Sequence, residues 1–414
     1  MGLRDRHHKY EESDKVAERD PMEEEDSLSD SASEQQDKTN HRPKVNAFTQ
    51  QKLKAVHPIL TPKNVIPVLI ALAVLFVPLG AGMLYGARRV EDLVIDYSQC
   101  ENLANENYYT DVPSEYFDYN FHKKNTLIPQ WKLDTNSSYL WNDYPEDRKI
   151  CKVQFQVPDD IGPPVFLFYR LRNFHANHRR YATSFSEDQI LGKQASVSDI
   201  KDTVGQNCQP LSVDSATGKI IYPCGLIANS LFNDTFSTFT AVNGSTDDYA
   251  LSRDNIAWKY NTGRFKKTTY TPDQIVPPPN WIKMYPDGYN DSNLPDISQW
   301  PELQNWMAAS ALSPFSKLVG RNDNDVLRNG TYEISIGLHF PVLPYNGHKY
   351  LYLSTRSVVG GRNPFLGIVW MVGGCICVIL AAAFVAIKIL HPRKLGDPAL
   401  LSWNKEEEEV TTKE

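Results

Sequence analysis

Apolar residues concentrate in two stretches, Val65 to Tyr85 and Phe365 to Ile387, and neither contains a charged side chain. Each supplies the ~20 apolar residues a helix needs to cross ~30 Å of hydrocarbon. Lys388 closes the second stretch, where its long stem can reach the headgroup layer. Two crossings put both termini on one side. The first 60 residues are polar and charged, with no short apolar core followed by a small-residue cleavage site. The first stretch is therefore expected to be an uncleaved anchor rather than a signal peptide.

Between the stretches the period falls to two. Tyr332, Ile334, Ile336, Leu338 and Phe340 alternate with Glu333, Ser335, Gly337 and His339, as in a half-buried strand. Val153, Phe155 and Val157 repeat the pattern, Val165 to Tyr169 is a continuous β-favouring run, and Tyr350 to Leu353 adds another candidate. One helix is predicted from Pro301 to Ala311, with proline in its first turn and Leu303, Trp306 and Met307 inward. Proline clusters such as Pro277 to Pro279 mark long irregular connections. The predicted fold is a membrane protein with two transmembrane α-helices and a large exoplasmic mainly-β domain, an antiparallel β-sandwich with long loops and a few short helices.

Composition divides the chain further. Residues 1–45 hold almost no large apolar side chains, include the acidic run Glu23 to Asp26 and are expected to form a disordered acidic tail. In the juxtamembrane segment 46–64, Ala47 to His57 sets Leu53 and Val56 against Lys52 and Lys54, as in a helix lying on a membrane face. The remaining expected bounds are spans at 65–86 and 363–388, an exoplasmic domain at 87–362 and a short tail at 389–414. Net charge is −7, from 43 basic and 50 acidic residues, which argues against a nucleic-acid partner.

Chemistry orients the chain. Asn-x-Ser/Thr sequons begin at Asn136, Asn233, Asn243, Asn290 and Asn329, all between the two stretches, and a glycan is added only on the lumenal side. Lys52, Lys54 and Lys63 before the first stretch and Lys388, Arg393 and Lys394 after the second agree with cytoplasmic flanks. Cys100, Cys151, Cys208 and Cys224 lie in the same segment, an even set in a disulfide-permitting compartment with three possible connectivities. Sequential pairing is favoured. Cys375 and Cys377 fall within the second stretch and read as packing residues.

No nucleophile elbow, zinc-protease helix, phosphate loop or dinucleotide fingerprint occurs in the chain. His175 and His178 lack an acidic or cysteine ligand nearby, Glu187 and Asp188 would point to opposite faces of a strand, and Asp37-Lys38-Thr39-Asn40 lacks the glycine of an ATPase phosphorylation motif. Neither enzymatic activity, a metal nor a cofactor is expected.

Several blocks are more specific than any period. They include Phe48 to Leu53, Asn177 to Tyr181 continuing through Ser184 to Gln189, Tyr222 to Ser230, Phe232 to Phe236, Tyr285 to Tyr289 and Gly360 to Gly367. Together and in this order they resemble the cell division control protein 50 / ligand-effect modulator family in its fungal form, over about residues 46 to 387. The resemblance implies a noncatalytic subunit of a phospholipid flippase, partnered by a type IV P-type ATPase, needed for that partner's exit from the endoplasmic reticulum and for its transport cycle. It implies membrane phospholipids as surroundings, residence between endoplasmic reticulum and Golgi, endosome or plasma membrane, and disulfides joining Cys100 to Cys151 and Cys208 to Cys224. A glycosylated two-span receptor is the alternative. Gly82 and Gly86 form a small-residue ridge suited to helix contact, with Gly367 on the second span. Arg88, Arg89 and Arg362 are expected near headgroups, and the elbow around Arg362 and Asn363 is expected to set how domain and helix meet.

Overall fold

The computed structural model describes residues 48, 61–123, 127–135, 149–201, 204–242, 247–357 and 360–392. The expected acidic tail, the interfacial helix and most of the C-terminal tail lie outside these residues, as do Asn136 and Asn243.

Two long helices, Pro62–Arg88 and Phe365–Leu390, are apolar and long enough to cross a membrane. Each runs two residues beyond its expected C-terminal bound. Between them lie thirteen strands among the described residues: β1 (Asp92–Asp96), β2 (Thr110–Asp111), β3 (Phe117–Asn120), β4 (Gln130–Asp134), β5 (Ile150–Val157), β6 (Val165–Arg172), β7 (Ile220–Ile221), β8 (Thr235–Phe236), β9 (Thr240–Ala241), β10 (Ile275–Val276), β11 (Phe315–Asn322), β12 (Gly330–Gly337) and β13 (His348–Ser354). One antiparallel sheet has the order β11-β6-β13-β1-β3. Apart from a separate two-stranded parallel pair of β7 and β10, the remaining strands form a second sheet, β2-β4-β5-β12, with both β8 and β9 on the far edge of β12.

The sheets face each other through the alternation that the sequence displays. Tyr332, Ile334 and Ile336 of β12 join Val153, Phe155 and Val157 of β5 in one core with Leu93, Leu167, Leu351 and Leu353 of the opposite sheet. Glu333 instead points outward, where Tyr109 and Gln154 donate to its carboxylate. A second core lies where the strands give way to irregular chain, gathering Tyr222, Ile227, Trp281, Trp306 and Phe340 beneath short helices and proline-bearing turns.

Two of the distinctive sequence blocks dock on each other there. Gly225 has φ 99°, and a Cβ on it would sit 2.1 Å from the Ser184 carbonyl oxygen, so this close approach requires glycine. The Cys224 and Leu226 amides donate to Gln189 Oε1 and Ser184 Oγ, each at 2.8 Å. Disulfides join Cys100 to Cys151 and Cys208 to Cys224. The first ties the turn after β1 to β5; the second encloses a small separate cluster with Ile200 and Ile221.

The predicted helix at Pro301 is shorter than expected, Pro301–Met307, because Ala308 leaves the helical conformation, with φ −76° and ψ 87°. Buried Lys317 of β11 donates to the carbonyl oxygens of Asn305 and Ala308, meeting helix-end acceptors that another turn of helix would have used.

Candidate partner and membrane interface

The two long helices lie against each other along a seam of small residues. Ala73, Gly80 and Ala87 on the first and Gly367, Gly374 and Ala381 on the second are the buried positions of these helices, each set spaced by seven. A Cβ on Gly367 would meet the Leu84 backbone nitrogen at 2.8 Å, and one on Gly374 would meet Val77 Cγ2 at 2.6 Å. With no water-driven force between helices in lipid, such close backbone approach is how they associate. A seven-residue repeat keeps this seam continuous along an antiparallel pair. Phe76 and Trp370 pack edge to face beside it, ring centroids 4.7 Å apart.

Gly367 therefore belongs to the contact within this chain rather than to an outer surface. Gly82 and Gly86 do not. Gly82 lies about 200° around the helix from Gly80, and nothing approaches within 4 Å of a Cβ built on either residue. With Leu75 and Leu79, both exposed, they make an open stripe on the side away from the seam.

The domain is joined to this helix pair through adjacent strands. Only three residues separate the first helix from β1, and β1 pairs with β13, which leads toward the second helix. The joint is latched on both sides: the Glu91 amide donates to Thr355 Oγ1 at 3.0 Å, the Thr355 amide donates to the Glu91 carbonyl at 2.9 Å, and Asn120 Nδ2 donates to the Val90 carbonyl at 2.7 Å. Arg362 extends from the elbow to Asp92, 3.3 Å away, and lies 3.9 Å from Asp118. Burial raises the Asp92 pKa and the Arg362 charge partly opposes that rise. Asn363 Oδ1 accepts from the amide of Phe365, the first residue of the second helix, at 3.0 Å. Arg89 lies over the Tyr85 ring at 5.0 Å, and Arg88 is exposed. The three arginines thus share one level of the molecule, with Arg362 tied to the domain by an ion pair that sequence reasoning did not anticipate.

At the end of the sandwich away from the helices, Asp234 ties the two sheets. Its carboxylate accepts from the His339 and Phe340 amides, each at 2.7 Å, from the Tyr97 hydroxyl at 2.9 Å and from Lys349 Nζ at 2.7 Å. Lys349 also donates to the Phe340 carbonyl at 2.9 Å. The Asp234 and Lys349 side chains are 0% and 5% exposed, so this is a buried ion pair with its polar groups satisfied. Burial, and then the neighbouring Asp234 charge, push the Tyr97 hydroxyl pKa well above its ordinary value.

Of the sequons in the described residues, Asn290 and Asn329 are exposed and Asn233 is half-buried. Asn290 Oδ1 accepts from the amide and hydroxyl of Ser292, the third sequon residue. Both His175 and His178 are exposed. Glu187 is engaged by Arg264 through both carboxylate oxygens. Among the described residues, no three of His, Cys, Asp and Glu are grouped to hold a metal.

Residues 83–394 match the family described as LEM3 (ligand-effect modulator 3) family / CDC50 family. The chain is 47% identical over 368 residues to the phospholipid-transporting ATPase accessory subunit LEM3 of Saccharomyces cerevisiae, covering 88% of each chain. It is 39% identical to the accessory subunit CDC50 of Chaetomium thermophilum, covering 91% of this chain and 95% of the relative. To human cell cycle control protein 50B it is 30% identical, over 85% of this chain and 95% of the relative. A match over most of the folded region, with similar relatives in fungi and animals, establishes that this chain belongs to the LEM3/CDC50 family.

Proposed function

We propose that this chain is the noncatalytic accessory subunit of a type IV P-type ATPase that moves phospholipids from the exoplasmic to the cytoplasmic leaflet. The observation that carries the reading is the 47% identity over 88% of the chain to a relative named as a phospholipid-transporting ATPase accessory subunit. The architecture suits the role: a membrane helix pair that satisfies its own small-residue seam leaves the Gly82–Gly86 stripe for another helix. In this reading the domain is exoplasmic, both termini are cytoplasmic, and glycans are carried at sequons among Asn136, Asn233, Asn243, Asn290 and Asn329. The chain supports its partner's folding and exit from the endoplasmic reticulum, and the complex works between Golgi, endosome and plasma membrane.

The test is loss and rescue in the cells that make it. Deleting the chain is expected to hold a P-type ATPase in the endoplasmic reticulum and to abolish inward transport of a fluorescent phospholipid, both restored by the full chain. Unchanged transport and unchanged ATPase location in the deletion would refute the reading.

A further inference from the structure

The outer face of the five-stranded sheet, turned away from the core, carries a ladder of rings and cations. Register places Arg321, Phe166 and Ser354 in one row and Leu318, Phe168 and Tyr352 in the next. Arg321 lies over Phe166 at 5.2 Å, Phe168 stacks on Tyr352 at 5.5 Å, and Arg170 lies over Tyr352 at 4.1 Å. Beside the ladder is a groove of about 850 Å³, bounded by the segment Asn255 to Lys259 and by Thr355, Arg356, Gly360 and Gly361. The row containing Ser354 also contains Asp92, four residues beyond the first long helix, and Gly361 lies just before the second. The groove therefore opens at the level where the chain enters the bilayer.

Its mouth has the composition of a membrane boundary. Trp258 and Tyr260 flank Lys259 and are 76% and 89% exposed. Amphipathic rings beside a basic group are favoured where hydrocarbon gives way to headgroups. Three cations in and beside the groove are already engaged: Lys317 by the Asn305 and Ala308 carbonyls, Arg321 by Asp323 at 2.6 Å, and Arg170 by Ser316 at 3.0 Å. Lys259 and Arg356 are exposed and have no carboxylate partner among the described residues.

We propose that this groove seats the headgroup of a phospholipid in the leaflet on which the domain stands. Lys259 and Arg356 hold the phosphate as an ion pair, and the Trp258 ring offers its face to an ammonium on the headgroup. The proposal rests on the two helices crossing a bilayer and not on the identity of any protein partner.

The experiment uses the full chain in phosphatidylcholine nanodiscs containing a fraction of phosphatidylcholine with a nitroxide on its headgroup. Subtracting the emission of Trp258→Phe from that of the unsubstituted protein isolates Trp258. Its emission is expected to be quenched by the headgroup label, less by a label deep in the acyl chain, and not to be relieved by free inorganic phosphate. Lys259→Ala and Arg356→Ala are each expected to raise the label fraction for half-quenching about two- to fivefold, the effect of an ion pair at an exposed site. Trp258 emission untouched by the headgroup label overturns the proposal, as does quenching that the two charge removals leave unaltered. Relief by inorganic phosphate overturns it in favour of a free anion. Loss of quenching when a co-purified protein partner is present overturns it in favour of a protein contact.

Discussion

Removing the Asp234 carboxylate is predicted to be among the most damaging single changes outside the disulfides. Asp234→Ala leaves the Lys349 ammonium buried without its counter-ion, and it orphans the His339 and Phe340 amides and the Tyr97 hydroxyl. Breaking a buried ion pair from one side costs about 3–5 kcal/mol. For a domain of this size each kcal/mol lowers the unfolding midpoint by about 2–4 °C, which gives a fall of about 6–20 °C. The substitution keeps Asn233 and Thr235, so any glycan at that sequon is not lost with it. Lys349→Met should cost less, because Asp234 retains three of its four donors. In the double variant no charge remains buried, so it should cost less than Asp234→Ala, and what is left is the cost of the orphaned polar groups. Thermal unfolding of the purified full chain, followed by intrinsic fluorescence, reads all three variants. An Asp234→Ala midpoint within about 2 °C of the unsubstituted protein, or a double variant worse than that single, would refute the reasoning.

Gly374→Leu and Gly80→Leu are predicted to force the two long helices apart, since even a Cβ at these positions would lie within 2.7 Å of a neighbouring atom. Gly82→Leu with Gly86→Leu should leave the helix pair intact and reduce co-purification of the partner; stability and pull-down yield of the variants separate the two effects. Opening the Cys100–Cys151 and Cys208–Cys224 loops, 51 and 16 residues apart, should cost about 4 and about 3 kcal/mol in the chain-entropy model, checked by denaturant unfolding of the Cys→Ser pairs. Burial lowers the Lys317 pKa from 10.5 to about 8. The folded state then binds this proton less readily than the unfolded state, so the stability of the protein relative to Lys317→Met should be flat below pH 8 and rise from there toward pH 10.5. Urea midpoints at a series of pH values measure that difference.

Where the sequence pattern was long and local, it carried the fold. Alternation over Tyr332 to Ile336 and Val153 to Val157 marks two strands of the core because one face of each is buried against the other sheet. Strands as short as β7 to β10 have no period to read: β8 and β9 are defined by pairing with the longer β12, and β7 and β10 by pairing with each other across a long stretch of sequence. The end of the helix at Met307 depends on Lys317, a contact that no local pattern contains. In the membrane region, the glycines were visible but their faces were not assigned. Spacing by seven of Ala73, Gly80 and Ala87, matched by Gly367, Gly374 and Ala381, was the available signal for the seam. Asp234 and Lys349 lie far apart in sequence, and neither announces a buried pair.

The most direct test of the subunit reading is to solubilise membranes in mild detergent, capture the full chain by a C-terminal tag and identify what co-purifies by mass spectrometry. The account predicts a P-type ATPase in one-to-one ratio, and its identity would define the transported lipid and the compartment. A chain recovered alone, with mature glycans and at the cell surface, would contradict the account and favour a receptor.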